Sequence, residues 1–165
     1  MSEVEVKVGA LIMDPNSGTP IVILRGVAEE TVVPIWVGTF EANAIALEIE
    51  KNVPQRPMTH DLLRNMVSQI GATVERVLIT ELRNDTFFAL IEIRDADGKL
   101  IALDARPSDA IAIALRFSCS IWVRRDVIEQ AGTNLAVEDG IEETEARSIN
   151  DEWPDVIEDA EDFTG

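Results

Sequence analysis

Two stretches of this chain share one residue pattern, and this repeated pattern is the main sequence evidence for the fold and for a candidate site. The first is Arg56-Pro57-Met58-Thr59-His60-Asp61, and the second is Asp104-Ala105-Arg106-Pro107-Ser108-Asp109. In each, an Arg-Pro pair precedes a hydroxyl residue and an aspartate. Proline disfavours helix in the residue before it and fits the first turn of a helix. A hydroxyl side chain is a good helix N-cap. We therefore predict two helices, capped by Thr59 and Ser108.

Apolar residues at helical spacing follow both junctions. The run from Ala110 to Leu115 is apolar on nearly all sides, which predicts the most buried helix of the protein. Gly71 is expected to end the helix that starts at the first junction. A further helix is predicted earlier in the chain, with Thr39 as its N-cap. The predicted apolar faces are Ala42, Ile45, Ala46 and Ile49 for that earlier helix, and Leu62, Leu63, Met66, Val67 and Ile70 for the first-junction helix.

Strand signals fill the rest of residues 1–131. The turn formers of residues 14–18 and the pair Asp97-Gly98 predict hairpins, and Pro34 places its strand at a sheet edge or a bulge. The strand–helix–strand unit over residues 100–123 predicts a parallel crossover. The predicted fold class is α+β, a single compact domain with a mixed β-sheet and three to four helices. Strands are expected over residues 4–13, 21–24, 32–37, 73–82, 87–93, 100–103 and 120–123.

The negative charge is concentrated near the C-terminus. The 165-residue chain has a formal net charge of −17, of which residues 131–165 carry −11. Dense like charge with few apolar groups disfavours a packed structure. We predict a domain over residues 1–131 and an acidic, disordered tail over residues 132–165. The tail either keeps the protein soluble or engages a basic partner.

Cysteine usage and hydropathy bear on the compartment. The single cysteine, Cys119, allows no intrachain disulfide and is expected to be an inert core thiol in a reducing compartment. The N-terminus has no signal-peptide pattern, and no apolar run approaches the ~20 residues of a membrane helix. These observations predict a soluble, cytoplasmic protein that does not engage a membrane.

Basic groups at the two junctions are candidates for chemistry. Backbone N–H groups and the positive dipole end at a helix start attract anions, and arginine binds phosphate or carboxylate in a bidentate manner. Arg56 and Arg106 therefore predict either anion binding or ion pairs that fix two helices together. The single histidine, His60, is an exposed candidate that can ligate a metal or move a proton near neutral pH, or simply occupy a surface.

Carboxylates accompany these groups. Glu41, Asp61 and Asp109 each fall in the first turn of a predicted helix, where a carboxylate also simply complements the dipole. Asp104 closes a strand, and charged residues at strand ends often line a site. If they converged with His60, these oxygens would suit Mg²⁺ or Mn²⁺ better than structural Zn²⁺.

Between Val8 and Arg125, the chain resembles the bifunctional nuclease (BFN) domain family. The paired Arg-Pro junctions, in this order, are the most specific part of the resemblance. It implies an α+β fold, a homo-oligomer, and a nuclease activity on DNA and RNA as in plant relatives, but it assigns no catalytic role residue by residue. The tail lies outside it. The segments that carry the resemblance are Pro34-Ile35-Trp36-Val37-Gly38, Glu41-Ala42, Ala44-Ile45, the first junction with Leu62, Thr86-Phe87-Phe88-Ala89, the second junction with Ala110-Ile111-Ala112, and Arg116.

The two Arg-Pro junctions and the family resemblance together predict a divalent-metal-dependent nuclease that hydrolyses phosphodiester bonds of DNA or RNA. In this hypothesis, Mg²⁺ or Mn²⁺ activates water while arginines hold the phosphodiester. The predicted catalytic residues are His60, Asp61, Asp104 and Asp109. The predicted metal ligands are Asp61, Asp104, Asp109 and Glu41. The predicted substrate-binding residues are Arg56, Arg106, Arg116, Thr59 and Ser108.

The charge balance keeps an alternative open. Affinity for nucleic acid comes largely from neutralising phosphates, and a chain at −17 repels a polyanion at long range. The alternative is a non-catalytic oligomeric module whose Arg-Pro helix starts bind an anionic ligand or partner. A third interpretation is that the motif is purely structural and that the function lies in surfaces that the sequence does not identify.

Overall fold

Seven strands and four helices form one α+β domain in the computed structural model. The structure describes the backbone of residues 2–137 and the side chains of residues 2–132. The predicted fold class is confirmed. In chain order, the elements are β1 (Glu3–Met13), β2 (Pro20–Gly26), β3 (Val32–Trp36), α1 (Thr39–Ile49), α2 (Thr59–Gln69), β4 (Thr73–Arg83), β5 (Thr86–Arg94), β6 (Leu100–Ala105), α3 (Pro107–Phe117), β7 (Ser120–Arg124) and α4 (Arg125–Val137).

All seven strands belong to one mixed sheet in the order β3-β2-β1-β7-β4-β5-β6. Every neighbouring pair is antiparallel except β4 with β7. Both predicted hairpins are present, and Pro34 lies on the edge strand β3, as expected for a residue that cannot donate to the ladder. Strands β6 and β7 run in the same direction, as the crossover predicted, but β4 and β5 lie between them.

The helix starts differ from the predicted hydroxyl caps. The N-cap residues are Gly38, Met58 and Arg106, each with an extended backbone, and none makes a side-chain cap hydrogen bond. Thr39 and Thr59 are the first helical residues, and Pro107 occupies that place in α3. Proline suits the first helical position because its missing N–H would be unpaired there anyway. The Arg-Pro pair therefore starts α3 two residues earlier than Ser108 would as the N-cap.

The core lies on one side of the sheet. Apolar residues of α1, α3 and α4 pack there against alternating strand residues such as Val77, Ile79 and Val123. Helix α3 is the most buried helix, with every residue from Ala110 to Ala114 buried. The predicted apolar face of α1 packs into the same core, although Ile49 is only partly buried.

Helix α2 leaves most of its predicted apolar face uncovered within the described part of the chain. Of its apolar stripe, only Val67 packs against the core as a partly buried residue. The buried residues of α2 are instead His60 and Asp61, because the polar first turn faces α3. The remaining stripe residues are between 41% and 70% exposed; they are Leu62, Leu63, Met66 and Ile70.

The C-terminal part of the domain extends beyond the predicted boundary. Helix α4 continues through Val137, so residues 132–137 are helical rather than part of a tail. The remainder of the predicted acidic tail, residues 138–165, lies outside the described residues. None of the helices described here has both the length and the apolar character needed to span a bilayer.

Candidate functional site

The two Arg-Pro junctions meet in space through their helix starts. His60 Nε2, on the first turn of α2, lies 2.9 Å from Asp109 Oδ1, on the first turn of α3. His60 is only 9% exposed, whereas the side chain of Asp109 retains 38% of its exposure. The prediction of an exposed histidine is therefore wrong, because α2 turns its polar first turn toward α3. A carboxylate held against one imidazole nitrogen fixes the tautomer and the orientation of the ring.

A second contact between the same helices is a buried ion pair. Arg116 Nε donates to Asp61 Oδ1 at 2.8 Å, and the Arg116 side chain is only 2% exposed. Its Nη1 donates to the Ala112 carbonyl at 2.9 Å and its Nη2 to the Ala44 carbonyl at 3.1 Å. One guanidinium thus joins α1, α2 and α3 at a single point.

This geometry corrects the predicted role of Arg116. A guanidinium that uses all three of its nitrogens on interior acceptors is not available to a substrate in solvent. The sequence left open whether the arginines bind a ligand or fix two helices together, and for Arg116 the structure supports the second role. Sequence reasoning did not identify the Ala44 carbonyl, since a backbone acceptor leaves no side-chain signal.

Asp61 is held in its ionised form by its neighbours. Burial by itself raises the pKa of this carboxyl, but hydrogen bonds from the Met58 N–H at 3.0 Å and from Arg116 outweigh it. The result is a pKa below the ordinary value. Because Asp61 caps the start of α2 and pairs with Arg116, both of its oxygens are already hydrogen-bonded.

Two other arginines flank the His60–Asp109 pair in sequence and remain exposed. Arg106 is the N-cap of α3, and Arg56 lies two residues before the N-cap of α2. Within residues 2–132, neither guanidinium has an ion-pair or hydrogen-bond partner. Free cations at helix starts, where unpaired N–H groups also point outward, suit a phosphate or carboxylate ligand.

The hydroxyl residues of the junctions lie in different environments. Thr59 is exposed at the first position of α2, where its hydroxyl is open to solvent. Ser108 is buried at the second position of α3.

Asn43 of α1 was not singled out from the sequence. Its Oδ1 is buried and has no hydrogen-bond partner within the described part of the chain, and a polar residue inside an apolar helix was the only signal for it.

The predicted carboxylate set is spread over the molecule. Asp104 pairs with Leu90 in the register of β6 with β5, whereas the flanking Ala89 and Ile91 belong to the core. Side chains alternate between the faces of a sheet, so Asp104 points away from the helices. Glu41 lies in the first turn of α1, with its carboxylate folded back over Gly38.

The part of the chain with described side chains contains no group of three or more His, Cys, Asp or Glu residues placed to hold a metal ion. Asp61, Asp104, Asp109 and Glu41 therefore do not form one ligand set there. The predicted requirement for Mg²⁺ or Mn²⁺ stays a prediction.

Comparison with known proteins identifies the family. A family model described as the bifunctional nuclease domain matches residues 22–136, which is most of the chain and includes both junctions. The chain belongs to the bifunctional nuclease domain family.

Relatives of this bifunctional nuclease domain occur in bacteria and plants. An uncharacterized protein of Mycobacterium tuberculosis is 39% identical over 143 residues, which is 86% of this chain and 84% of the relative. A protein of Oryza sativa named bifunctional nuclease 1 is 32% identical over 82 residues, covering 48% of this chain and 25% of the plant protein. The Arabidopsis thaliana protein of the same name is 31% identical over 101 residues, covering 60% and 29%. The matches to the plant nucleases are thus partial on both sides.

Proposed function

We propose that this bifunctional nuclease domain hydrolyses phosphodiester bonds of DNA or RNA, with His60 and Asp109 as its proton-transfer pair. The supporting observation is the 2.9 Å contact between His60 Nε2 and Asp109 Oδ1, which joins the two junctions. Family membership and the names of the partial plant relatives favour a nuclease as the class of enzyme.

In this proposal, the His60–Asp109 pair supplies general base catalysis. With the Nε2 proton directed at Asp109, Nδ1 of His60 is left as the basic nitrogen, and it has no hydrogen-bond partner within residues 2–132. Nδ1 accepts a proton from water as the water oxygen attacks phosphorus. The bond from phosphorus to the leaving sugar oxygen then breaks, and that oxygen takes a proton from the imidazolium. Positioned proton transfer of this kind contributes about 10²–10⁴-fold to a rate.

Arg56 and Arg106 hold the phosphodiester in this proposal. Their exposed guanidinium groups, with no partner in the described chain, offset the unfavourable net charge of −17 locally. Charge-assisted hydrogen bonds to the nonbridging oxygens also stabilise the negative charge that develops during attack. Asp61 and Arg116 are positioning residues here, because they fix α2 against α3 without reaching the substrate.

A divalent ion would screen the phosphate and lower the pKa of bound water. In the described residues, Asp61 already accepts two hydrogen bonds and Asp104 points to the opposite face of the sheet. The residues present therefore do not fit a resident ion held by the four predicted carboxylates, and no step above uses one. An assay with Mg²⁺, Mn²⁺ or a chelator tests the predicted metal requirement directly.

Cleavage of labelled oligonucleotides by the full chain tests the proposal. Single-stranded DNA, double-stranded DNA and RNA are each incubated with Mg²⁺, with Mn²⁺ and with EDTA. His60→Ala and Asp109→Asn are expected to lower the cleavage rate by about 10²-fold or more, because each removes part of general base catalysis. Asp109→Asn keeps the shape and removes the charge.

Arg25→Gln is the matched control, since Arg25 is exposed on β2 in the other half of the sheet. It is expected to keep most of the parent's activity, and circular dichroism verifies that all variants are folded. If the two site variants cleave as fast as the parent after identical purification, the site is misplaced and a contaminating nuclease is the source of activity.

A non-catalytic module that binds a small anionic ligand is the second candidate. The guanidinium groups of Arg56 and Arg106, which are exposed at two helix starts and have no partner among residues 2–132, favour it, as does a net charge that repels long polyanions. Absence of cleavage on every substrate, combined with saturable binding of a short phosphorylated ligand that Arg106→Gln abolishes, would select this function over the nuclease.

A further inference from the structure

Helix α2 presents an apolar stripe to solvent within the described part of the chain. Its four side chains are large and between 41% and 70% exposed, and they are Leu62, Leu63, Met66 and Ile70. At about 100° per residue, this spacing places all four on one side of the helix axis. A contiguous patch of exposed, large apolar side chains marks an interaction surface.

The α2 stripe lies in a basic stretch of an otherwise acidic domain. Residues 1–130 hold 13 basic and 19 acidic residues, a net charge of −6. Residues 51–70, in contrast, hold three basic residues and one acidic residue, and the acidic one is the buried, paired Asp61. The start of α2 adds the positive end of its helix dipole. This surface therefore suits a segment that is apolar on one side and acidic on the other. The three basic residues are Lys51, Arg56 and Arg64.

The C-terminal sequence contains a segment of that kind. Residues 153–163, which we call the C-terminal segment, read WPDVIEDAEDF and have a net charge of −5. Their apolar residues recur at the spacing of one helix face, and the acidic residues fall at the other positions. Proline in second place suits the first turn of a helix. Eleven helical residues span about 16 Å, which is also the length of α2. The apolar residues are Trp153, Val156, Ile157, Ala160 and Phe163.

We propose that the C-terminal segment docks on the α2 stripe of its own chain, with apolar face against apolar face and its carboxylates beside Arg56. Amphipathic helices are recognised in this way, through apolar anchors at helical spacing. Sequences as polar as the C-terminal segment order on binding rather than by themselves. The α2 stripe supplies the apolar surface that such ordering requires.

The chain is long enough for the C-terminal segment to reach α2. The described backbone ends at Val137, the last residue of α4, and 15 residues separate it from Trp153. An extended chain spans about 3.3–3.6 Å per residue, so this linker reaches about 50 Å. A domain of this size has a radius of gyration of about 14 Å. Any point on its surface therefore lies within reach of the linker.

The covalent link favours this segment over a separate molecule. A flexible linker holds its end at a local concentration of about 1 mM. An intrinsic Kd of about 0.1 mM then keeps the α2 stripe covered about nine-tenths of the time. Burial of the two apolar faces drives docking, and ordering the C-terminal segment opposes it. The affinity that docking requires is therefore modest.

Docking has a consequence for the proposed site. Arg56 lies two residues before Met58, the N-cap of α2, at the end of the helix where the α2 stripe begins. Carboxylates of the C-terminal segment placed beside this guanidinium compete with a phosphodiester for it. The C-terminal segment is thus an internal competitor of the substrate. This consequence rests on the proposed function, whereas the docking itself does not.

Alkylation of a cysteine placed in the α2 stripe of the full chain tests the docking. Met66→Cys keeps the stripe apolar, and iodoacetamide should modify Cys at this position about tenfold faster once Ile157→Asp is added, because the charge removes the segment from the stripe. Mass spectrometry distinguishes this thiol from Cys119. Ser148→Asp adds the same charge outside the C-terminal segment and is expected to leave the rate unchanged. Val53→Cys, in the exposed α1–α2 loop, is the control for a thiol outside the α2 stripe.

Each alternative result contradicts the proposal in its own way. Equal alkylation rates with and without Ile157→Asp would show that the C-terminal segment does not cover the α2 stripe. Protection that increases with protein concentration would show that a second copy of the chain covers it instead. An equal effect of Ser148→Asp, or an equal effect on Val53→Cys, would reduce the result to net charge.

Cleavage kinetics test the competition separately. Ile157→Asp in the otherwise unmodified chain is expected to lower the KM for a labelled oligonucleotide by about tenfold, the same factor as in the alkylation rate. An unchanged KM together with a faster alkylation would overturn the competition and leave the docking in place. Absence of cleavage by every variant would contradict the proposed function alone, because the alkylation rates do not depend on activity.

Discussion

Arg116 Nε and Asp61 Oδ1 lie 2.8 Å apart, and both side chains are buried between α2 and α3. The same guanidinium reaches the Ala44 carbonyl of α1, so three helices depend on one charged group. Removing one partner of a buried pair strands the other charge in an apolar setting. The relative placement of the His60 and Asp109 turns rests on this pair, since each residue lies on one of the two helices that it joins.

Replacing Arg116 is expected to destabilise the fold strongly. Arg116→Met should lower the free energy of unfolding by about 3–5 kcal/mol, because Asp61 is left buried and uncompensated. Urea denaturation followed by circular dichroism measures this. Arg25→Met, at an exposed arginine of β2 that has no ion pair within residues 2–132, is the control and should change stability by less than about 0.5 kcal/mol. A loss below about 1 kcal/mol for Arg116→Met would show that the pair does not hold the helices together.

Acid should remove the contribution of Asp61 to the free energy of unfolding. Its pKa is lowered in the folded protein, so its stabilisation is present above the unfolded pKa, about 3.9, and is lost as the pH falls through the folded value. The difference in free energy of unfolding between the parent and Asp61→Asn should be full at pH 6 and shrink below about pH 4. A difference that stays constant down to pH 2 would contradict this account.

The thiol of Cys119 should be unreactive near neutral pH. Desolvation by burial raises its pKa to about 11, so little thiolate is present. Since the thiolate is the nucleophile, alkylation by iodoacetamide at pH 8 should be on the order of a hundredfold slower in the folded chain than in urea. Mass spectrometry follows the reaction, and equal rates in the two states would show that the thiol is open to solvent.

A side chain at Gly71 should lower the free energy of unfolding. It follows α2 with φ of +80°, and its N–H and that of Ala72 bond back to the Ser68 and Val67 carbonyls. Gly71→Ala should cost about 1–2 kcal/mol, because a left-handed backbone brings Cβ against the carbonyl oxygen.

Gly132→Ala is the paired control for that substitution. Gly132 lies in α4, where a Cβ would meet open space, so alanine should stabilise the protein by about 0.5–1 kcal/mol. Thermal melts of both variants measure the effect, and equal shifts would show that the backbone at Gly71 does not require glycine.

Replacing either of the exposed arginines, Arg56 or Arg106, should raise the KM for substrate. Arg56→Gln and Arg106→Gln each remove a phosphate contact from the proposed site, so KM for an oligonucleotide should rise by about tenfold, with a smaller effect in high salt. Steady-state cleavage at two ionic strengths measures this. Arg25→Gln should leave KM unchanged, and if it raises KM equally the effect is one of net charge rather than of the site.

Most strands and three of the helices were predictable because their signals are local. Alternation in β1, the Asp97-Gly98 turn and the apolar run of α3 each reflect neighbours in sequence. The caps were not predicted correctly, because Pro107 competes with Ser108 for the helix start and only the folded backbone shows which one prevails. The apolar stripe of α2 was predicted from its spacing, but periodicity does not say whether anything covers such a face, and most of this one is exposed.

By itself, the sequence determined the α+β class, the order of the elements from β1 to β7 and the two Arg-Pro helix starts, because local patterning and proline geometry set these. Only the tertiary structure decided which charged groups meet. It joined His60 to Asp109 and Asp61 to Arg116, and it turned Asp104 to the opposite face of the sheet. It also left Arg56 and Arg106 without an ion-pair partner among residues 2–132. The physical reason is that these contacts join residues 49 and 55 positions apart in the chain, so the packing of α2 on α3 fixes them.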